Sequence, residues 1–327
     1  MSHSRLSLAV DEHGLALPLE GHIAVFAPRV GYDLSALPRD RSTIIQPLKP
    51  DHDAFAQVGY SAEVVEQGSY AAALVVLPRA KALARDLIAR ACTVAPLVIV
   101  DGQKTDGVDS LFKECRKRAD VHGAFTKAHG RLFWFEGGDF ADWKAGEATE
   151  IAGGFTTRPG VFSADAVDPA SAMLVEALPA KLGRVVADLG AGWGFLSSHI
   201  LRRDGVEVLH LVEADHTALD CAKANVVDAR AQFHWADATN FKPGHRVDTV
   251  VMNPPFHTGR KAEPDLGKSF IHAAAKMLAP SGQLWMVANR HLPYEATLRE
   301  AFKEVEDVAG DTRFKVLKAQ RPSRTRG

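Results

Sequence analysis

Little in this chain of 327 residues stands out by excess, and what it lacks narrows the field first. It has three cysteines, Cys92, Cys115 and Cys221, widely spaced and not in metal-ligand pairs. That argues against a disulfide scaffold or a cysteine–zinc framework and suits reduced thiols. The formal net charge is −1, so no global field draws the chain onto a polyanion, and any surface for nucleic acid must be local. No apolar run approaches the roughly 18 residues that span a bilayer. The N-terminus lacks the basic segment and apolar stretch of a secretory signal. The expectation is a cytoplasmic protein with no membrane segment and no metal. What is present is an ordinary globular composition, 46% hydrophobic and 24% charged, in a length that suits two domains of about 150 residues.

The C-terminal half alternates strand and helix signals, as a parallel α/β sheet does. Apolar runs at 184–189, 206–213, 231–235, 247–252 and 283–288 read as strands. Segments 194–203, 216–229, 266–278 and 294–302 read as helices, with Pro280-Ser281-Gly282 closing the third. Segments 305–309 and 312–317 read as a final antiparallel pair, completing a seven-stranded, mostly parallel sheet. Asp168-Pro169 reads as a helix N-cap followed by proline at the first helical position. The N-terminal half repeats this rhythm more weakly, with strands at 22–26, 72–77, 97–100 and 131–135 and helices at 79–92 and 107–118. A linker is expected around 146–159, giving domains at 1–152 and 153–327. The halves also align by eye. Residues 23–37 lie on 185–199, 74–81 on 250–257 and 97–114 on 284–302, so that Phe26 faces Asp188 and Leu77 faces Asn253. On this reading the first domain kept its strands and lost its chemistry.

The chemistry concentrates at strand ends. Asn253-Pro254-Pro255-Phe256 follows the run 247–252 and suits the holding of a planar NH2 group. An asparagine oxygen and a nearby carbonyl accept its two N–H bonds, and the aromatic ring stacks on the attached plane. The prolines fix φ and stiffen the turn before a target arrives. Gly190-Ala191-Gly192-Trp193-Gly194 joins the first strand of the half to its helix, which suits a ligand touching the main chain. Alone this also fits nicotinamide and flavin nucleotides, or a bare turn. Three acids narrow it. Asp188 suits an amino-acid ammonium, Glu213 a pair of ribose hydroxyls and Asp237 an adenine amino group, with the Ala238 N–H on the ring. Singly, each acid is as well read as a solvated strand end. Together, and followed by Asn253, they describe a site for S-adenosylmethionine.

"VADLGAGWGFLS", "VEAD", "WADAT", "VMNPPFHTG" and "ANRHLPYEATLREAF" together resemble the bacterial rRNA guanine-N2 methyltransferases, most of all those acting on 16S RNA, with the large-subunit enzymes similar. "RPGVFSADAVDPASAMLVEALP" at 158–179 matches the same family. The resemblance covers 158–319 and extends faintly into the first half. It implies two tandem Rossmann-like class I methyltransferase domains, the first degenerate and serving RNA recognition, the second binding cofactor. Carried over by position, it implies Asp188, Gly190, Gly192 and Glu213 on the amino-acid and ribose parts of S-adenosylmethionine, and Asp237 and Ala238 on its adenine. It implies Asn253, Pro254 and Phe256 on the target guanine, and His257 matches the family's residue after the aromatic; Pro255, His257 and Phe162 are lesser substrate candidates. The partner implied is ribosomal RNA, within the small subunit, and the enzyme is expected to be a monomer.

Other readings stay open at this point. Asn-Pro-Pro-aromatic turns also serve methylation of adenine N6 in DNA and of a glutamine amide in release factors. A non-catalytic RNA-binding protein or chaperone is a further alternative. Phe162 reads either as lining the cofactor pocket or as stapling the helix after Asp168, and Trp193 either as a pocket wall or as packing on the sheet. Lys113, Arg116, Lys117 and Arg118, and the terminal Lys315, Lys318, Arg321, Arg324 and Arg326, are either phosphate contacts or solvated charge.

Overall fold

The computed structural model of the chain describes residues 4–146, 148–255 and 264–323. They form two compact units, Met1–Glu147 and Ala148–Gly327. In the first, helix α1 (Arg5–Asp11) precedes strands β1 (Ile23–Phe26), β2 (Ser42–Ile45), β3 (Ser61–Glu63), β4 (Ala72–Val76), β5 (Leu97–Gln103), β6 (Asp120–Lys127) and β7 (Gly130–Glu136), with helices α2 (Lys49–Gln57), α3 (Lys81–Val94) and α4 (Val108–Cys115) between them. The sheet order is β3-β2-β1-β4-β5-β7-β6, parallel except for β7, which runs against both β5 and β6. The central strands are apolar throughout because helices cover both faces. Ile23–Phe26 has every residue buried.

The second unit opens on a hairpin, β8 (Thr149–Ile151) and β9 (Phe155–Thr157), where the sequence suggested only linker. Helix α5 (Pro169–Ala177) follows. Then come β10 (Val185–Leu189), α6 (Phe195–Ile200), β11 (Val208–Glu213), α7 (His216–Asn225), β12 (Ala231–Trp235), β13 (Val247–Met252), α8 (Pro264–Met277), β14 (Leu278–Asn289), α9 (Tyr294–Ala301), β15 (Phe302–Gly310) and β16 (Phe314–Pro322). The order β12-β11-β10-β13-β14-β16-β15 repeats that of the first unit position for position. Two sheets of seven strands, mostly parallel and equally wound, are the tandem domains that the sequence suggested. Pro280-Ser281-Gly282 proves to lie inside β14, beside a register irregularity, and not in a turn that ends α8.

The repeat also corrects the alignment of the halves by one residue. Phe26 pairs with Ile45 and Val75, whereas Leu189 pairs with Val212 and Met252. Phe26, Val75 and Val100 pack with α3 and α4. Leu189, Met252 and Met286 pack with α8 and α9. A slip of one residue would exchange the two faces of a strand. Phe26 therefore corresponds to Leu189, Val25 to Asp188, Gln46 to Glu213 and Val76 to Asn253. The backbone agrees: Ala27 and Gly190 both have positive φ, 55° and 76°. Each donates its N–H to the neighbouring strand, to Ile45 and Val212 respectively, at 2.9 Å. Two residues on, Arg29 stands where the second unit has Gly192 and is paired with buried Asp51. The first unit thus has side chains in place of the glycine cradle, and two valines and an amide in place of the polar groups.

Candidate active site

A cavity at the C-terminal ends of β10 and β13 gathers Gly190, Ala191, Gly192 and Trp193 from the glycine turn and Phe195 and Leu196 from α6. Asn253, Phe162, Ser163, Asp168 and Ser171 complete its lining. This is the crevice where doubly wound sheets bind their ligands. Gly190, Gly192 and Gly194 have φ of 76°, 55° and 92°. A Cβ on Gly192 would meet no protein atom, so the turn leaves room over its backbone, whereas one on Gly194 would meet Val226 and Ala222. The first of these glycines leaves ligand space and the second permits close packing of α6 on α7.

The glycine turn is braced from outside. Asn225 Nδ2 donates to Thr156 O and Trp193 O, both at 2.8 Å, and its Oδ1 accepts from Thr156 N and Oγ1. Trp193 Nε1 donates to Phe162 O at 3.0 Å, and its ring packs against Phe155 and Phe195. Trp193 is therefore both wall and packing. Phe162 is 57% exposed and does not staple α5; it stands at the rim of the cavity.

Asp188 is fully buried. Its Oδ2 accepts from Ser197 Oγ at 2.6 Å, and its Oδ1 has no hydrogen-bond partner among the described residues. Burial pushes this carboxyl up to about 7. Glu213 is half-buried as a residue, but its carboxylate is turned inward. Oε2 accepts from Gly192 N at 2.7 Å and Oε1 from Asp215 N at 2.8 Å. Burial raises it to about 6, against the pull of these N–H groups. Two acids held above their ordinary range, one with an orphaned oxygen, fit a cationic ligand carrying hydroxyl donors. The residues present therefore fit the methionine and ribose parts of S-adenosylmethionine.

Asn253 shows the most specific arrangement. Its Nδ2 donates to Asp168 Oδ2 and to Ser171 Oγ, both at 2.9 Å. Asp168 also accepts from Ser171 N at 2.8 Å as the N-cap of α5, with Pro169 in the first turn as the sequence indicated. A carboxylate only accepts, so the amide must present its NH2 there, and Oδ1 remains for another donor. Pro254 is buried and Pro255 exposed. Phe256 and His257 lie outside the described residues.

Not every suggested residue lines this cavity. Asp237 is engaged in its own turn. Oδ1 accepts from Thr239 N and Oγ1, and Oδ2 from Asn240 Nδ2. An adenine amine there would need the lone pairs that this turn leaves over. Ala238 is buried among the α8 core residues. Ser163, Ser171, Phe195 and Leu196 were not singled out by sequence, and Asp168 was read only as a helix cap. The basic terminal segment is mostly strand β16. Lys315 is buried and ion-paired with Glu295 at 2.6 Å, so it is no phosphate ligand. Arg321 pairs with Glu304, and Lys318 lies over the Trp285 ring. Arg324 and Arg326 lie outside the described residues. In the first unit Arg118 is paired with Asp142 and Arg116 lies over Phe112.

A twice-occurring sheet of this order, with one glycine cradle, raised carboxyls at successive strand ends and Asn-Pro-Pro after the fourth strand, defines an S-adenosylmethionine-dependent methyltransferase. The model of the methyltransferase small domain family matches residues 152–318. Ribosomal RNA small subunit methyltransferase C of Hahella chejuensis is 30% identical over 251 residues, 72% of each chain. The chain belongs to the methyltransferase small domain family and to the family of this Hahella enzyme. Ribosomal RNA large subunit methyltransferase G of Streptomyces coelicolor is 37% identical over 166 residues, 49% of this chain, and the match spans 44% of that longer protein. Among solved structures, the T. thermophilus 16S rRNA N2 methyltransferase RsmC in complex with AdoMet and guanosine superposes with a TM-score of 0.77 and 26% identity. That superposition covers 94% of this chain and 90% of that one. Among the described residues no helix is long and apolar enough to cross a membrane.

Proposed function

We propose that this chain methylates the exocyclic N2 amine of a guanine in ribosomal RNA, with 16S RNA of the small subunit as substrate. The observation that carries the reading is the Asn253 carboxamide. Both its N–H bonds are satisfied by protein, and its oxygen is kept as an acceptor beside the glycine cradle. The relatives named for ribosomal RNA, and the RsmC structure that holds AdoMet and guanosine together, support guanine as the acceptor.

When bound, S-adenosylmethionine supplies a methyl group on a sulfonium, already a good electrophile. Asp188 and Glu213 would hold its ammonium and ribose, and Asp237 and Ala238 its adenine, beside the cradle at Gly190 and Gly192. The guanine N2 lone pair is delocalised into the ring and is a poor nucleophile. Asn253 Oδ1 and the Pro254 carbonyl would accept its two N–H bonds. That favours a more tetrahedral nitrogen and places acceptors where positive charge grows. No strong base is needed before attack, since the proton leaves more readily once nitrogen is cationic. Phe256, with exposed Phe162 at the rim, would hold a base taken out of its stack, at an unstacking cost of a few kcal/mol. Pro255 and His257 are assigned to the acceptor side of the site. The first unit, whose cradle is filled, serves RNA recognition. The enzyme acts in the cytoplasm, as a monomer and without metal.

Purified protein is offered 30S particles, 50S particles, deproteinised rRNA and a release factor with labelled cofactor, and the products are digested for mass spectrometry. N2-methylguanosine confined to 16S rRNA is expected. N6-methyladenosine, methylglutamine or no transfer would overturn the proposal.

A further inference from the structure

Asn253 can serve as an acceptor only in one orientation of its carboxamide. The two ends of the group have nearly the same shape, and a half-turn would present NH2 to the N–H bonds of the target, donor against donor. The local turn does not decide between them, because the two prolines that follow Asn253 stiffen the backbone and not the side chain. The decision comes from a helix 82 to 85 residues earlier in the chain, where Asp168 Oδ2 and Ser171 Oγ both take the NH2. Ser171 is 7% exposed, and Asp168 is itself fixed by its bond to the Ser171 N–H. In the turned orientation the Asn253 oxygen would face the Asp168 carboxylate, acceptor against acceptor.

We infer that Asp168 and Ser171 are positioning residues of the methyl-transfer site: their side chains clamp the NH2 of Asn253 so that its oxygen, and not its nitrogen, meets the acceptor amine. The inference rests on the reading of Asn253 given above. It assigns the N-cap of α5 a second task, in which one carboxylate oxygen both starts the helix and orients the substrate-holding amide.

Three variants separate this from a structural role. Ser171→Ala removes one acceptor and leaves the cap. Asp168→Ser keeps a capping oxygen but is too short to reach Asn253. Asp168→Asn keeps an acceptor of full length. Turnover is measured on 30S particles and deproteinised 16S rRNA, together with affinity for S-adenosylhomocysteine and melting temperature. The loss of a hydrogen bond to a positioned group corresponds to about tenfold in kcat for Ser171→Ala and about a hundredfold for Asp168→Ser. Asp168→Asn should stay within about fivefold of wild type, and all three should bind S-adenosylhomocysteine within about twofold. Wild-type turnover in Ser171→Ala and Asp168→Ser would overturn the inference. So would a loss of cofactor affinity that matches the loss of turnover, or an Asp168→Asn variant as impaired as Asp168→Ser. If the wild type leaves rRNA unmethylated, the functional reading fails by itself. The clamp is then decided by binding of free guanosine to protein saturated with S-adenosylhomocysteine: weaker in Ser171→Ala supports it, and equal contradicts it.

Discussion

Asp188→Asn should make the free protein more stable and the cofactor complex weaker. The Asp188 carboxyl is fully buried, with one oxygen on Ser197 and one orphaned. Burial holds it at about 7, against 3.8 for an ordinary aspartate. At 1.36 kcal/mol per unit, ionising it in the folded protein costs about 4 kcal/mol. The sign follows from the raised value. The neutral form is the one the fold prefers, so its contribution is intact below about pH 4 and is lost as pH rises through about 7. Asparagine is isosteric, can still accept from Ser197, and carries no charge. Its unpaired NH2 would offset about 1–2 kcal/mol, which leaves a net gain of about 2 kcal/mol above pH 7. For a unit of this size that is roughly 5 °C in melting temperature. Melting curves of the ligand-free protein across pH 4.5–8.5 should therefore place the variant above the wild type at high pH and bring it level with, then below, the wild type as pH falls towards 4. Calorimetry with S-adenosylhomocysteine should show the opposite ranking, a Kd about 10- to 100-fold weaker in the variant, because the ammonium proposed for Asp188 would lose its carboxylate. In the wild type, affinity should also rise with pH through 6–7 as Asp188 and Glu213 ionise. A variant with wild-type affinity, or with an unchanged slope of melting temperature against pH, would rule out Asp188 as a buried, ligand-binding carboxylate.

Asn253→Ala should lower kcat by about 10²- to 10³-fold while sparing cofactor affinity, read by single-turnover kinetics beside calorimetry. Asn225→Ala removes the four hydrogen bonds that tie the glycine turn to β9. It should raise the KM for S-adenosylmethionine and lower the melting temperature together, by about 2–4 kcal/mol of stability. Gly267→Ala places a Cβ against the Tyr294 hydroxyl inside the α8–α9 packing, and about 1–3 kcal/mol should be lost in denaturant unfolding with the active-site geometry intact. In the first unit, Arg5→Ala leaves the buried Asp101 carboxylate with Tyr32 as its remaining side-chain partner among the described residues. It should destabilise that unit by about 3–5 kcal/mol without changing cofactor affinity.

The parts of the fold that were legible in the sequence are those where physics is local. Strand Ile23–Phe26 is a continuous apolar run because both faces are covered, Val247–Met252 ends in one, and Asp168-Pro169 starts a helix by its own chemistry. The edge strands of the first unit were not legible. Strand β3 is three residues, one exposed and two half-buried, and β6 alternates exposed positions around an irregular register at Val121 and Gly123, so neither carries a strong pattern. The two halves were recognisable as copies, but their alignment was one residue out. Composition does not mark which face of a strand is which, and only register and packing do. The site divides the same way. The glycine cradle, Glu213 and Asn253 sit at strand ends that periodicity finds. Asp168 was visible only as a cap, because its second partner is 85 residues away. Asp237 looked free in sequence, yet it closes its own turn.

Whether Asn253 presents an acceptor to the N2 amine of a guanine in rRNA is read from the product itself. Wild type and Asn253→Ala are incubated with 30S particles and methyl-labelled cofactor, and the rRNA is digested to nucleosides. The wild type should yield label in N2-methylguanosine, at one position of 16S rRNA, and the variant should yield almost none at equal cofactor occupancy. Label in another nucleoside, or an Asn253→Ala variant that still produces N2-methylguanosine at the wild-type rate, would contradict it.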